Sequence, residues 1–364
     1  MLLFVITLVT TTLAGAEWKY ARSFFYGEDK MGWNEFFGGF EYSIPFLLIL
    51  TVHEFGHFIV ARRNKVEVSL PFYIPMWMGF LPFPSIGTLG AVIRIKDHIF
   101  SKRIHFDIGI AGPLAGFVVA LAVLFYGFTH LPEPEYIYQI HPEYEQYGLE
   151  YAEYVYENDS IVNISMGKNL AFLFFETFVV DDPQKMPNPH EIMHYPWLLA
   201  GFLALLFTAL NLLPIGQLDG GHVLYGLLGY KRHRPIAELF FLGFIVYAGL
   251  GMFSPYHPIE VLQWIPLYIA FLFFTLKGLK KSKIDTLMYA VSIAALQFFI
   301  SWIQPTWQGY EGWLAFIFII GRFVGVHHPP ALDETPLDSQ RQLLGWIAIF
   351  IFLISFSPSP ILVE

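Results

Sequence analysis

The sequence predicts an all-α polytopic membrane protein of about 8–9 transmembrane helices. Three observations predict it. Of 364 residues, 55% are hydrophobic and only 14% charged, too little polar surface for a soluble chain of this length. The apolar residues fall in runs near the ~20 residues that cross a bilayer. Lys and Arg fall in alternate loops between those runs.

The spans are expected at 1–16, 43–61, 106–129, 196–214, 236–252, 259–276, 285–303, 310–324 and 342–357. The first has no basic flank and ends in Leu-Ala-Gly-Ala, which is like a signal-peptidase site. It reads as a true span, because no charge precedes its apolar core. Residues 131–195 break the pattern. They hold twelve acids and two bases, so this segment carries −10 of the formal −9 and the remainder sums to +1. It reads as a solvated insertion punctuated by Tyr and Pro, with an apolar stretch at 170–180; a substrate-facing role is the alternative. The chain therefore divides into an N-terminal membrane region (1–130), the acidic insertion (131–195) and a second membrane region (196–364).

Sixteen basic residues lie in one set of loops (Arg62, Arg63, Lys65, Arg94, Lys96, Lys102, Arg103, Lys231, Arg232, Arg234, Lys277, Lys280, Lys281, Lys283, Arg322, Arg341). Five lie in the other set (Lys19, Arg22, Lys30, Lys168, Lys185). By the positive-inside rule the first set and the N-terminus are cytoplasmic, and the insertion is extracytoplasmic.

Cysteine is absent, so any metal must bind nitrogen or oxygen. The stretch "ILTVHEFGHFIVARR" (49–63) places His53 and His57 four residues apart, on one face of a helix. With Glu54 between them this is H-E-x-x-H: two zinc ligands and a general base. Satisfied core histidines or a proton relay are the plainer alternatives, but ionisable groups inside a membrane helix are expensive and by default functional. Counting back from Arg62 at ~1.5 Å per residue, the pair lies about 8–14 Å inside the membrane, reached by water from the cytoplasmic side.

A zinc centre needs a third protein ligand. "NLLPIGQLDGGH" (211–222) is a Pro- and Gly-rich break after an apolar run, tolerated at membrane depth only where it is buried or lines a watery cavity. Asp219 fits as an oxygen ligand; alternatively it caps a helix over 220–229. Asn211 is either a packing amide or a donor to a scissile carbonyl. His222 reads as structural. His327 and His328, beside Asp333, Glu334 and Asp338, suggest a second metal or, more plainly, a polar loop with a Pro-Pro turn.

These two stretches together resemble the site-2 protease family of intramembrane zinc metalloproteases, marked by H-E-x-x-H in one membrane helix and N-x-x-P-x-x-x-L-D-G in another. "SIGTLGAVIRIK" (85–96) looks like the family's membrane-associated β-hairpin, "AGPLAG" (111–116) like its glycine-rich helix start, and "HHPPALDETPLDSQRQLLGW" (327–346) like the tail of a branch in prokaryotes and chloroplasts. The resemblance implies His53, His57 and Asp219 as ligands of one Zn2+ per chain, Glu54 as the catalytic glutamate and Asn211 as a substrate-binding residue. No PDZ or CBS domain is evident. The strand-like "GTLGAVIRI" is either a structural hairpin or a template that holds an extended substrate. "PMWMGFLPFP" (75–84) reads as interfacial packing or as the lining of a substrate path.

The expected function is cleavage of transmembrane segments in regulated intramembrane proteolysis, in a prokaryotic cytoplasmic membrane or a chloroplast membrane. The expected partners are the lipid bilayer and a single-pass protein such as an anti-sigma factor, a tethered regulator or a remnant signal peptide, and no nucleic acid. The alternative is a metal-ion or proton transporter using His and Asp in broken helices. No internal repeat supports that alternative, and Glu54 is superfluous to it. Intact Glu54 also argues against a catalytically silent relative.

Overall fold

The computed structural model describes residues 1–81, 85–156 and 164–363. The end of the 75–84 stretch (82–84) and residues 157–163 of the insertion lie outside them. Five helical stretches among the described residues are long and apolar enough to cross a membrane: 2–20, 33–63, 102–129, 259–279 and 283–303. Shorter apolar helices cover 196–211, 312–324 and 339–355. The chain is an integral membrane protein, and the expected runs are mostly helical. It packs as two units, residues 1–98, 111–210 and 350–364 in one and 99–110 with 211–349 in the other.

In the first unit, α1 (Leu2–Tyr20) packs on α3 (Phe40–Arg63), with the short α2 (Trp33–Gly38) between them in sequence. Lipid offers no hydrogen bonds, so hydroxyls in such helices return to the backbone. Thr11 donates to the Thr7 carbonyl and Thr12 to that of Leu8. Thr12 also meets Ser43 at 2.9 Å, tying α1 to α3. Arg62 and Arg63 close α3, where cations suit the negative end of the helix dipole.

Strands β1 (Phe72–Met76) and β2 (Gly87–Val92) form the expected hairpin, antiparallel, with a bulge between Tyr73 and Pro75. Pro75 has no N–H to give a ladder, which suits a bulged edge. The hairpin is pinned to α1 at the start of β2. Trp18 donates to the Ser85 carbonyl and Thr10 to that of Gly87. Leu47, Tyr73 and Ala91 make a small buried cluster with Leu8 and Leu50 against it.

Helix α4 (Lys102–Thr129) crosses from one unit to the other along its length. The acidic insertion is not simply a solvated face. Its 3-10 turns at Pro134–Gln139 and Pro142–Glu150 and helix α5 (Tyr151–Val155) bury Ile137, Tyr144 and Tyr151. Tyr144 stacks on Tyr151 at 4.9 Å between ring centroids. Glu191, counted among the solvated acids, is only 1% exposed. Strand β3 (Ile164–Met166), helix α6 (Leu170–Phe178) and helix α7 (Pro196–Asn211) follow.

In the second unit, α8 (Asp219–Ala248) is broken at Gly229, whose φ of 71° and ψ of 169° lie outside the helical region. Helices α9 (Ile259–Leu262), α10 (Ile265–Leu276), α11 (Lys283–Ile303) and α12 (Gly312–Ile319) follow, with α13 (Ser339–Ser355) beginning there. Gln297 on α11 donates to the Ile245 carbonyl and accepts from Tyr268, a buried polar bridge with each end satisfied. The tail before α13 is tied down rather than loose. Arg341 makes a bidentate contact with Asp107 at 2.7 and 2.8 Å. Ser101 donates to Asp333, and Tyr225 donates to Glu334. After α13, strand β4 (Ile361–Val363) returns to the first unit and pairs antiparallel with β3.

Candidate metal centre

The centre is built on α3. An apolar run makes this helix, and its i, i+4 geometry puts His53 and His57 one turn apart. Both are buried, at 5% and 6% exposure, and Glu54 at 6%. The two Nε2 atoms face each other at 3.1 Å. Two imidazole nitrogens on one tetrahedral zinc, at 2.0–2.1 Å each, stand roughly 3.3–3.4 Å apart. The pair is therefore within a few tenths of an ångström of the spacing that zinc demands. Glu54 Oε1 lies 4.0 Å from His53 Nε2, near enough to act on a group held by the pair.

Glycine makes room for this geometry. A Cβ at Gly112, on α4, would collide with the His57 ring, and one at Gly56 would come within 2.6 Å of the Ala111 carbonyl oxygen. The "AGPLAG" stretch thus lets α4 lie against α3 where the histidines emerge. Sequence reasoning marked that stretch by resemblance alone; the contact with His57 has no local signal.

Tyr73 was also missed. Its hydroxyl is 2.7 Å from that of Thr51, two residues before His53. Burial pushes the phenol's pKa up, the Thr51 hydrogen bond lowers it, and the nearby Glu54 carboxylate raises it further. The hairpin and the glutamate are therefore electrostatic neighbours.

Asn211 and Asp219 belong to the second unit, at the two sides of the expected break: Asn211 is the last residue of α7 and Asp219 the first of α8. The break is tight. A Cβ at Gly220 would overlap the Leu212 carbonyl, and Gly216 has φ +59°. Leu218 holds the position before the first turn of α8, with no side-chain cap hydrogen bond of its own. In the first turn the Asp219 carboxylate meets the favourable end of the helix dipole. His222 Nδ1 is 2.7 Å from His328 Nε2, a hydrogen-bond distance, and Tyr225 stacks on His328.

A membrane chain with a buried imidazole pair and a neighbouring glutamate on one span belongs to the class of helix-borne metal-centre proteins. The particular family follows from comparison. The model of peptidase family M50 matches residues 41–254, more than half of the chain, and the chain belongs to that family, the site-2 protease family its motifs resemble. Curated relatives agree. The "Probable zinc metalloprotease EGY1, chloroplastic" of Oryza sativa subsp. japonica is 28% identical over 206 residues, 57% of this chain and 30% of that protein. The "Probable zinc metalloprotease EGY2, chloroplastic" of Oryza sativa subsp. indica is 28% identical over 191 residues, 52% of this chain and 30% of that protein. The EGY1 protein of Arabidopsis thaliana is 25% identical over 181 residues, 50% of this chain and 28% of that protein. The chain thus spans less than a third of the length of these relatives. No solved structure matches it.

Proposed function

We propose that this protein is a zinc-dependent intramembrane endopeptidase that cleaves transmembrane segments. The observation that carries the reading is the buried His53–His57 pair, 3.1 Å apart with Glu54 beside it, on a helix otherwise fit for lipid. In this reading His53, His57 and Asp219 hold one Zn2+ per chain. The donor set supports it: nitrogen and carboxylate oxygen, with no thiol in the chain. The M50 membership and the relatives named as zinc metalloproteases favour it over a transporter.

Bound zinc would supply Lewis-acid chemistry, polarising the scissile carbonyl and acidifying water. Glu54 accepts the proton of the attacking water and returns it to the leaving amine. Asn211 donates a hydrogen bond to the substrate carbonyl. The edge of β2 away from β1 would offer main-chain pairing to a substrate that has unwound from its helix. A helical substrate must unwind, because its carbonyls are otherwise engaged. The substrate would be a single-pass protein such as an anti-sigma factor, a tethered regulator or a remnant signal peptide, cut in regulated intramembrane proteolysis. The basic loops and the water path face the cytoplasm.

Glu54→Gln tests the reading. The purified variant is expected to keep its zinc and to cleave a transmembrane substrate at least ~10³-fold more slowly, as for loss of an essential general base. Cleavage at the wild-type rate would overturn the mechanism.

A further inference from the structure

A second set of metal donors stands in the 131–195 segment, on residues that neither the motifs nor the family reading uses. His141 Nε2, His194 Nε2 and Glu191 Oε2 converge. His141 is 3.4 Å from His194, His194 is 3.4 Å from Glu191, and His141 is 4.0 Å from Glu191. The point equidistant from the corners of that triangle is about 2.1 Å from each, matching zinc's 2.0–2.2 Å to imidazole nitrogen and carboxylate oxygen. We propose that His141, Glu191 and His194 form a second zinc site, separate from the pair on α3.

Outer contacts aim each donor inward, as metal ligands require. A carbonyl can only accept, so His194 Nδ1 donates to the Trp18 carbonyl at 2.6 Å, and its Nε2 turns a lone pair to the centre. His141 Nδ1 lies 3.2 Å from Glu143 Oε1, a carboxylate that can only accept its hydrogen bond, and the ring stacks on Tyr144. Tyr156 donates to Glu191 Oε1, leaving Oε2 to face the histidines. Three donor atoms therefore converge on one point, an arrangement that a bound cation or a shared proton would bridge. Glu191 is 1% exposed. Its ion-pair contacts within 4.0 Å among the described residues are these two histidines, with no Lys or Arg.

Three protein ligands leave a fourth position. A cavity of about 510 Å³ lined by all three residues, with Tyr147, Tyr154 and His190, has room for the water or small anion that would fill it. The ion would clamp the turn around His141 to the 191–194 turn and, through Trp18, to the end of α1.

The test uses the full-length chain purified in detergent with zinc and freed of excess. His53→Ala/His57→Ala removes the donors on α3. That double variant is expected to keep one tightly bound zinc per chain, with two imidazoles in its X-ray absorption spectrum. Adding His141→Ala and Glu191→Gln should lower it to below 0.2 per chain. To separate ligand loss from unfolding of the segment, Glu191→Gln alone, isosteric and able to keep the Tyr156 contact, is expected to weaken zinc binding at least tenfold. A double variant without zinc, or zinc unchanged by Glu191→Gln, overturns the proposal. The count in the double variant does not depend on whether α3 binds metal or cuts peptides, so the two readings fail separately.

Discussion

At the residue scale, the centre rests on small side chains as much as on ligands. The i, i+4 pair His53–His57 and the NLLPIGQLDG break are legible in the sequence, because their spacing is local and their residue types are costly in lipid. Gly112 is not. Its role appears only when α4 lies beside α3 and leaves no space for a Cβ at the His57 ring. Gly112→Ala should displace His57, lower the zinc content of the purified protein and slow cleavage on the order of 10²-fold, as misplacement by about an ångström does. Full zinc and full activity would mean that the ring shifts without consequence. Asp219 illustrates a different limit: the sequence leaves ligand and cap open, and the structure places it in the first turn of α8 after Leu218. The His141, Glu191 and His194 triangle was invisible, since its members are far apart in a segment whose composition reads as a solvated face. Burial of Glu191 is a tertiary fact that local charge does not carry.

At the scale of elements, apolar periodicity located the helices and erred at ends and joins. The expected span 43–61 becomes α3 at Phe40–Arg63, and 285–303 becomes α11 at Lys283–Ile303. The run 196–214 stops at Asn211, before Pro214. The run at 236–252 falls in the second of two helical segments that meet at the kink at Gly229, where the backbone leaves the helical region. Strands β3 and β4 pair across nearly two hundred residues, with only three residues each, too short for any alternation to show. The tail before α13 reads as a polar loop, yet Ser101 and Tyr225 hold it at Asp333 and Glu334, and Arg341 in the first turn of α13 anchors its end to Asp107. Arg341 is 36% and Asp107 18% exposed at the side chain, so solvent screens the pair. Arg341→Ala is expected to destabilise by about 1 kcal/mol and to speed limited proteolysis between residues 326 and 338. An unchanged digestion rate would show that Ser101 and Tyr225 hold the tail unaided.

At the scale of the whole molecule, composition alone marks a membrane protein, and five helical stretches of the described chain are long enough to cross. The proposed orientation rests on sixteen basic residues against five. The chain has no native thiol, so single cysteines report topology cleanly. Glu150→Cys should react with a membrane-impermeant maleimide from outside intact cells, and Lys231→Cys only after the cells are opened. Reversed labelling would invert the assigned water path. The membership in peptidase family M50 fixes the kind of chemistry to look for, and the proposed centre on α3 says where to look. The most direct measurement is cleavage of a transmembrane peptide by the purified wild-type chain, before and after its metal is stripped below 5% occupancy and then restored with one to two equivalents of zinc. The account predicts that cleavage falls with the metal, at least a hundredfold, and returns with zinc. Undiminished cleavage by the stripped protein would contradict it.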